Sequence, residues 1–436
     1  LLSKNLLVGH HDMILRQDWK KPSIGLKVVE TRRTTNQISI MSSRIPLSEP
    51  HMGGNEWVYI KECLDTGWVS SAGKYVDLFE TRVAEYTGAR HAIACVNGTA
   101  ALQVAMQLAG VRAGDEVIVP TITFIASINA VLYNGATPVF MDADDFYNID
   151  VAKTIEFIKN ETLFKGCSSF NKTTNKRIAA LVPVHVFGNA VDLEKLISLC
   201  EERNIPIVED AAESLGTRYT QGRLKERHTG TIGKLGCLSF NGNKIITTGG
   251  GGMILTDDDS LAEKARYLTT QAKDDAVRYI HDEVGYNYRL TNIQAAMGVA
   301  QLEQLPGIMN AKHQQYENYA RGISALADVS MASQPGYANN NNWMPALRIE
   351  TDSAISMRET LMSYLEKEQI QTRPLWYPNH KQEMYRNCQS YQIKRSIQLW
   401  EQTLCLPSYQ QMEEKQINQV VDSISTWHQK QTRLQG

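Results

Sequence analysis

A lysine set between a short apolar stretch and a run of glycines is where this chain's chemistry is concentrated. In Ser239-Phe240-Asn241-Gly242-Asn243-Lys244, followed by Ile245-Ile246-Thr247-Thr248 and Gly249 to Gly252, the lysine lies close to backbone with little bulk after it. That setting suits an amine that forms a Schiff base with a flat, bulky aldehyde. Taken alone it also fits a surface turn with a solvated lysine, because glycine clusters usually mark turns. Upstream, Pro206-Ile207-Val208 reads as a strand that ends in Glu209 and Asp210. A carboxylate therefore stands at a strand tip, where open α/β sheets place ligand groups, and strand alternation points the two acids opposite ways. A carboxylate beside a pyridine nitrogen keeps it protonated, and the cationic ring then absorbs carbanion electrons. Asn97-Gly98-Thr99-Ala100 follows an apolar strand and opens a helix. The amides of Gly98 to Ala100 and the Thr99 hydroxyl form a phosphate seat there, although Thr99 as an ordinary N-cap is the plainer alternative. Ser239 offers that seat a second hydroxyl, and Phe124 a flat face for a ring. Amine, acid, phosphate seat and flat face are what pyridoxal 5'-phosphate requires.

These residues need a scaffold that brings strand ends together. From Ile45 the pattern is ordered. Helices are expected over Glu56 to Leu64, with Trp57, Ile60 and Leu64 on one face, and over Lys74 to Tyr86. Short apolar strands then alternate with helices: strands at Ala92 to Val96, Glu116 to Pro120, Pro138 to Asp142, Ile178 to Val184 and Ile205 to Glu209. That alternation reads as a mostly parallel sheet buried on both faces. Asn160 to Lys176 reads as a polar insertion, and a helical pattern runs from Asn292 through about Leu326. A second alternating section, Trp343 to Trp427, reads as a small C-terminal α/β domain. The expected division is an N-terminal extension at residues 1–43, loop-like or disordered; a large cofactor-binding α/β domain at 44–305; and a linking helix with the small domain at 306–436.

The ordered set Gly98-Thr99-Ala100, Thr123-Phe124, Glu209-Asp210-Ala211-Ala212, Ser239-Phe240 with Lys244, and Thr247-Thr248-Gly249 resembles the DegT-type sugar aminotransferases of pyridoxal-phosphate fold type I. The resemblance covers about Ile45 to about Trp427. Gly67-Trp68-Val69-Ser70-Ser71-Ala72-Gly73, Pro183-Val184-His185-Val186-Phe187-Gly188 and Gly285-Tyr286-Asn287-Tyr288-Arg289 further resemble its LegC branch, associated with legionaminic-type sugar synthesis. The resemblance implies a fold with a seven-stranded-type sheet plus a small C-terminal domain. It implies Lys244 as the Schiff-base lysine rather than Lys234, and Asp210 as the partner of the ring nitrogen. The free Lys244 amine is then the general base that moves the substrate proton. Glu213 stands where the family often has Gln or His near the cofactor's phenolic oxygen, so its role stays open between cofactor, sugar and a structural turn. Asn287 is expected to reach the phosphate of a neighbouring subunit, which makes the enzyme a homodimer with shared sites. His185, Tyr377 and His380 are expected to meet substrate, with a buried structural role open for His185. The implied reaction moves an amino group from L-glutamate, leaving 2-oxoglutarate, to C4 of a nucleotide-linked 4-keto-6-deoxy-2-acetamido sugar, UDP- or GDP-linked. Dehydratases of the same family carry His in place of the lysine, and regulatory relatives would need a DNA-binding module; Lys244 and the absence of such a module argue against both.

Composition agrees with a cytoplasmic enzyme. A net charge of −2 spread over 436 residues offers no field for nucleic acid or an anionic membrane. The seven cysteines form no CxxC and no metal-ligand spacing, so no metal site is expected. An odd count without a framework fits a reducing compartment. No run approaches the roughly 18 apolar residues of a membrane span.

Overall fold

The computed structural model describes residues 44–435 except residue 276. The expected extension at 1–43 lies outside the described residues. Seven strands form the central sheet: β1 (His91–Cys95), β2 (Glu116–Pro120), β3 (Thr137–Met141), β4 (Arg177–Leu181), β5 (Val208–Asp210), β6 (Leu235–Ser239) and β7 (Gly252–Thr256). Their order is β1-β7-β6-β5-β4-β2-β3, with β4 and β5 joined through the parallel bridges Leu181 to Ile207 and Val184 to Asp210. All neighbours pair in parallel except β7, which runs antiparallel to both β1 and β6. The strands are short and almost wholly buried, as expected of a sheet covered on both faces.

The polar insertion contains structure of its own. Thr162–Lys165 and Ser168–Asn171 form a hairpin whose second strand pairs antiparallel with β4 and extends the sheet. Leu163 and Phe164 are exposed, so the hairpin buries too little apolar surface to leave a clear alternation in the sequence. The face Trp57, Ile60, Leu64 also behaves differently from an ordinary amphipathic helix. Helix Glu56–Thr66 buries Glu56 and Cys63 against the long helix, while Trp57 is 75% exposed and Leu64 57%. Glu56 is fixed by the side-chain amides of Gln301 and Gln304.

That long helix, Asn292–Ile323, starts with a capping box in which Thr291 and Gln294 satisfy each other's backbone. It continues through Pro306, so the division expected at residue 305 falls within one continuous helix. Beyond it a four-stranded antiparallel sheet, in the order Val329–Met331, Ala346–Ile349, Thr403–Cys405, Arg373–Pro374, packs with helices Ala354–Lys367 and Glu414–Gln435. Helix Arg395–Gln402 joins the C-terminal part to the central sheet. Asp142, just after β3, accepts the amides of Lys394, Arg395 and Ser396 and pairs with Lys153 at 2.5 Å.

Candidate active site

The C-terminal ends of β4, β5 and β6 and the N-terminus of helix Gly98–Leu108 surround a cavity of about 450 Å³. This is where a parallel sheet gathers ligand groups. Lys244 reaches it from the loop after β6, where the backbone turns back at Gly249 with φ 78° before β7. Its Nζ lies 3.2 Å from Glu213 Oε1 and 4.3 Å from the centroid of the Trp343 ring. Glu213 is buried, and its second oxygen accepts the Phe187 amide at 3.0 Å. Phe187 adopts the left-handed conformation, φ 58° and ψ 14°, which costs a non-glycine residue roughly 1 kcal/mol or more. That conformation presents its amide to Glu213, and its ring packs on Trp376 with centroids 5.4 Å apart. Burial pushes the Glu213 carboxyl above the usual range, while the Lys244 ammonium opposes that rise.

Asp210 also borders the cavity. Ser127 donates to its Oδ2 at 2.5 Å and the Ala212 amide to its Oδ1 at 3.0 Å, so both carboxylate oxygens are oriented. Glu209 points the other way. It accepts the amides of Gly230, Ile232 and Gly233 at 2.6–2.8 Å and pairs with His185 Nε2 at 2.9 Å.

The phosphate seat is present, with one change. Asn97 is the N-cap, and its side chain takes the Ala100 amide at 2.8 Å. Ala100 therefore has no free amide to offer, contrary to expectation. The Gly98 and Thr99 amides precede the first intrahelical acceptors and remain available. Gly98 is required by a close approach: a Cβ there would stand 2.9 Å from Ser239 Cβ and 3.2 Å from its Oγ. The helix N-terminus, the Thr99 hydroxyl and Ser239 thus converge on one wall of the cavity. Phe124 lines it with a half-exposed ring. Cradle, acid, amine and flat face fit pyridoxal phosphate; Gly98, Thr99 and Ser239 would hold its phosphate, Asp210 its ring nitrogen and Lys244 its aldehyde carbon.

Three expected substrate residues lie outside the cavity wall. His185 is fully buried with both ring nitrogens committed, Nε2 to Glu209 and Nδ1 to the Val191 amide at 3.0 Å; its role is structural. His380 is held by Thr121 Oγ1 at 2.7 Å, and burial pushes its imidazole below the usual range. Tyr377 packs edge-to-face with Trp400, ring centroids 5.2 Å apart. From that loop Arg373, Leu375 and Trp376 enter the wall instead. Asn287 is exposed and lies outside its own chain's cavity. Arg289 pairs with Glu80 at 2.8 Å. Sequence reading missed Ser127, Phe187 and Trp343. Ser127, one helical turn beyond Phe124, had a local signal; Trp343 had none, because it meets Lys244 only through the fold.

The sequence pattern of the DegT/DnrJ/EryC1/StrS aminotransferase family matches residues 50–425. The chain belongs to this family. It is 36% identical over 385 residues to a GDP-perosamine synthase of Escherichia coli O157:H7, covering 88% of this chain and 98% of that one. A GDP-perosamine synthase of Vibrio cholerae is 35% identical over 384 residues, with 88% and 99% covered. Among solved structures, a DegT DnrJ EryC1 StrS aminotransferase from Brucella abortus superposes with a TM-score of 0.77 at 27% identity, covering 86% of this chain and 95% of that one. DesV of S. venezuelae, solved with a ketimine intermediate, gives a TM-score of 0.77 at 27% identity, with 89% and 99% covered. The protein is a pyridoxal-phosphate-dependent sugar-nucleotide aminotransferase of fold type I. No helix among the described residues is long and apolar enough to cross a membrane.

Proposed function

We propose that this enzyme takes the amino group of L-glutamate and delivers it to C4 of a nucleotide-linked 4-keto-6-deoxy sugar, for surface polysaccharide synthesis in the cytoplasm. The observation that carries this reading is the meeting of Lys244, Asp210 and the Gly98–Thr99–Ser239 cradle around one cavity. Bound pyridoxal phosphate supplies an electron sink for the carbanion formed when the substrate α-proton leaves. Asp210 keeps a proton on the ring nitrogen, and Ser127 fixes the carboxylate that does so. Lys244 anchors the cofactor and, as a free amine, carries the proton to and from substrate carbon. Glu213 receives the Lys244 ammonium when it is displaced and keeps it within reach. Phe187 and Trp376 provide flat apolar surface for the sugar, and Arg373 faces the same space.

Two observations bear on specificity and assembly. The two GDP-perosamine synthases at 35–36% identity are named for a GDP-linked sugar, which favours a GDP-sugar here. The LegC-like motifs favour the legionaminic-type, UDP-linked alternative with an acetamido group at C2. Trp57, Leu64 and Trp68 and the segment with Val277, Tyr279 and Val284 are exposed apolar surface. Such surface, with Asn287 outside its own cavity, supports a homodimer in which Asn287 serves the partner's phosphate.

The test is an absorbance spectrum of wild type and Lys244→Ala, each given pyridoxal phosphate, before and after excess L-glutamate. Wild type should show a band near ~420 nm that moves to shorter wavelength with glutamate, and the variant should lack it. A wild type without the band sinks the Lys244 assignment. If the band responds, parallel turnover with GDP- and UDP-linked 4-keto sugars decides the nucleotide.

A further inference from the structure

A second lysine is buried behind the site. Lys312, in the second turn after Pro306 of the long helix, is only 6% exposed. Its Nζ lies 3.1 Å from the Trp343 carbonyl, 2.6 Å from the Ser408 carbonyl and 2.8 Å from Ser408 Oγ. Carbonyls only accept. The Ser408 hydroxyl also accepts here, because its own hydrogen goes to Gln315 Oε1 at 2.9 Å. Gln315 is oriented by its amide, which donates to the Tyr409 carbonyl at 2.7 Å. Three acceptors at one nitrogen match the three N–H groups of an ammonium. Burial pushes its pKa down to about 7, and hydrogen-bond acceptors at the nitrogen favour the charged form.

A buried cation without a carboxylate among these contacts is costly, and its contacts show what it secures. Trp343 is the residue whose ring carries the Lys244 amine at 4.3 Å. Trp343 is held at three points, two on its backbone and one on its indole. Its backbone amide goes to Asn341 Oδ1 at 3.0 Å, its Nε1–H to the Asn243 carbonyl at 2.7 Å, and its carbonyl to Lys312. Asn341 in turn donates to the Glu213 carbonyl at 2.7 Å. Ser408, the other end of the Lys312 contact, is tied by its amide to the Leu47 carbonyl at 2.9 Å. Lys312 and Lys244 also line one small pocket of about 20 Å³.

We propose that Lys312 is a positioning residue for Lys244: it clamps the Trp343 backbone between the long helix and the Ser408 segment, and so fixes the aromatic face against which the Schiff-base amine is aimed. This rests on Lys244 as the cofactor lysine. Lys312 touches neither substrate nor cofactor; it acts through the indole.

The experiment compares wild type, Lys312→Met, Trp343→Phe and the double variant, each as full-length apoprotein mixed with pyridoxal phosphate. Two quantities are read: the rate at which the ~420 nm band appears, and the emission of Trp343, taken as each Trp343 protein minus its Phe counterpart. Lys312→Met should red-shift the Trp343 emission and slow band formation by on the order of tenfold to a hundredfold, the scale for a misplaced reactive group. The double variant should be no slower than the slower single variant, because both changes break the same contact. Lys312→Arg, which keeps the charge and the donors, should recover part of the rate. If Lys312→Met fails to fold, Ser408→Ala, which removes one acceptor, should give the same shift at smaller size. Wild-type rate and emission in Lys312→Met, or effects that multiply independently in the double variant, overturn the inference. Absence of the band in wild type would instead overturn the Lys244 assignment.

Discussion

Glu209 and Asp210 are consecutive carboxylates at one strand end, both buried, and they divide the molecule into two regions with opposite demands. On the cavity side, Asp210 accepts from Ser127 and Ala212 and still faces open space shared with Lys244 and Glu213. On the far side, Glu209 is saturated by three backbone amides and His185. The charge-stabilising contacts are similar in kind; what differs is whether the carboxylate is left with work to do. Several hydrogen bonds pull the Glu209 carboxyl below the usual range against the effect of burial. A buried acid that spends every lone pair on its own chain is architecture. One that keeps an aspect open to a cavity is available for chemistry.

Substitution separates the two regions. Asp210→Asn should lower the rate of the glutamate half-reaction by on the order of 1,000-fold, because an amide cannot keep the ring nitrogen protonated. Its thermal unfolding should stay close to wild type, since Asn can keep its oxygen for the Ala212 amide and donate its N–H to the Ser127 hydroxyl, which can accept. Single-turnover absorbance and calorimetry together check this. A variant that unfolds early but turns over normally would reverse the assignment. Glu209→Gln should do the opposite. Its amide presents N–H to donors already in place, at a cost of about 2–4 kcal/mol in stability. Half-reaction rates of the surviving folded protein should stay within roughly tenfold of wild type.

Glu213 lies between these extremes, buried like Glu209 yet turned towards Lys244. Glu213→Gln keeps one acceptor for two donors, the Phe187 amide and the Lys244 amine. The expected loss is on the order of tenfold. The pH profile is the sharper readout. Burial raises the Glu213 pKa, so wild type should lose activity on the acid side above the ordinary glutamate range. That limb should vanish in the variant. An unchanged limb would mean that Glu213 only supports the Phe187 turn.

The sheet was legible because its strands are short, apolar and spaced by helices; β2 matches expectation residue for residue. Lys244, Asp210 and the Gly98 seat were legible for a related reason, since each sits at a strand-to-loop junction with its own local signal. What escaped was non-local. His185 follows a buried strand just as a substrate residue would, and only Val191 and Glu209 reveal that its ring is spent. The antiparallel sense of β7 depends on a tight return after Gly249 that apolar patterning does not record. Trp343 lies about a hundred residues from Lys244 and acquires meaning only when the C-terminal segment folds back over the cavity.

Asp142 ties another C-terminal segment to the central sheet and supplies the smallest and most pH-specific prediction. Its carboxylate caps helix Arg395–Gln402 through Lys394, Arg395 and Ser396 and pairs with Lys153, contacts that bring its pKa down to about 2 despite burial. The unfolded value is 3.8. A lowered carboxyl pKa means that the folded state gives up the proton more readily than the unfolded chain. The contribution is therefore fully present above about pH 4, and it is lost as pH falls through the folded value. The difference corresponds to about 2 kcal/mol. Asp142→Asn should be less stable than wild type by about that amount at pH 7, and the gap should close between about pH 4 and pH 2. Chemical denaturation of both proteins across that window measures it. A gap that persists unchanged at pH 2 would place the effect in lost packing rather than in the ionised cap.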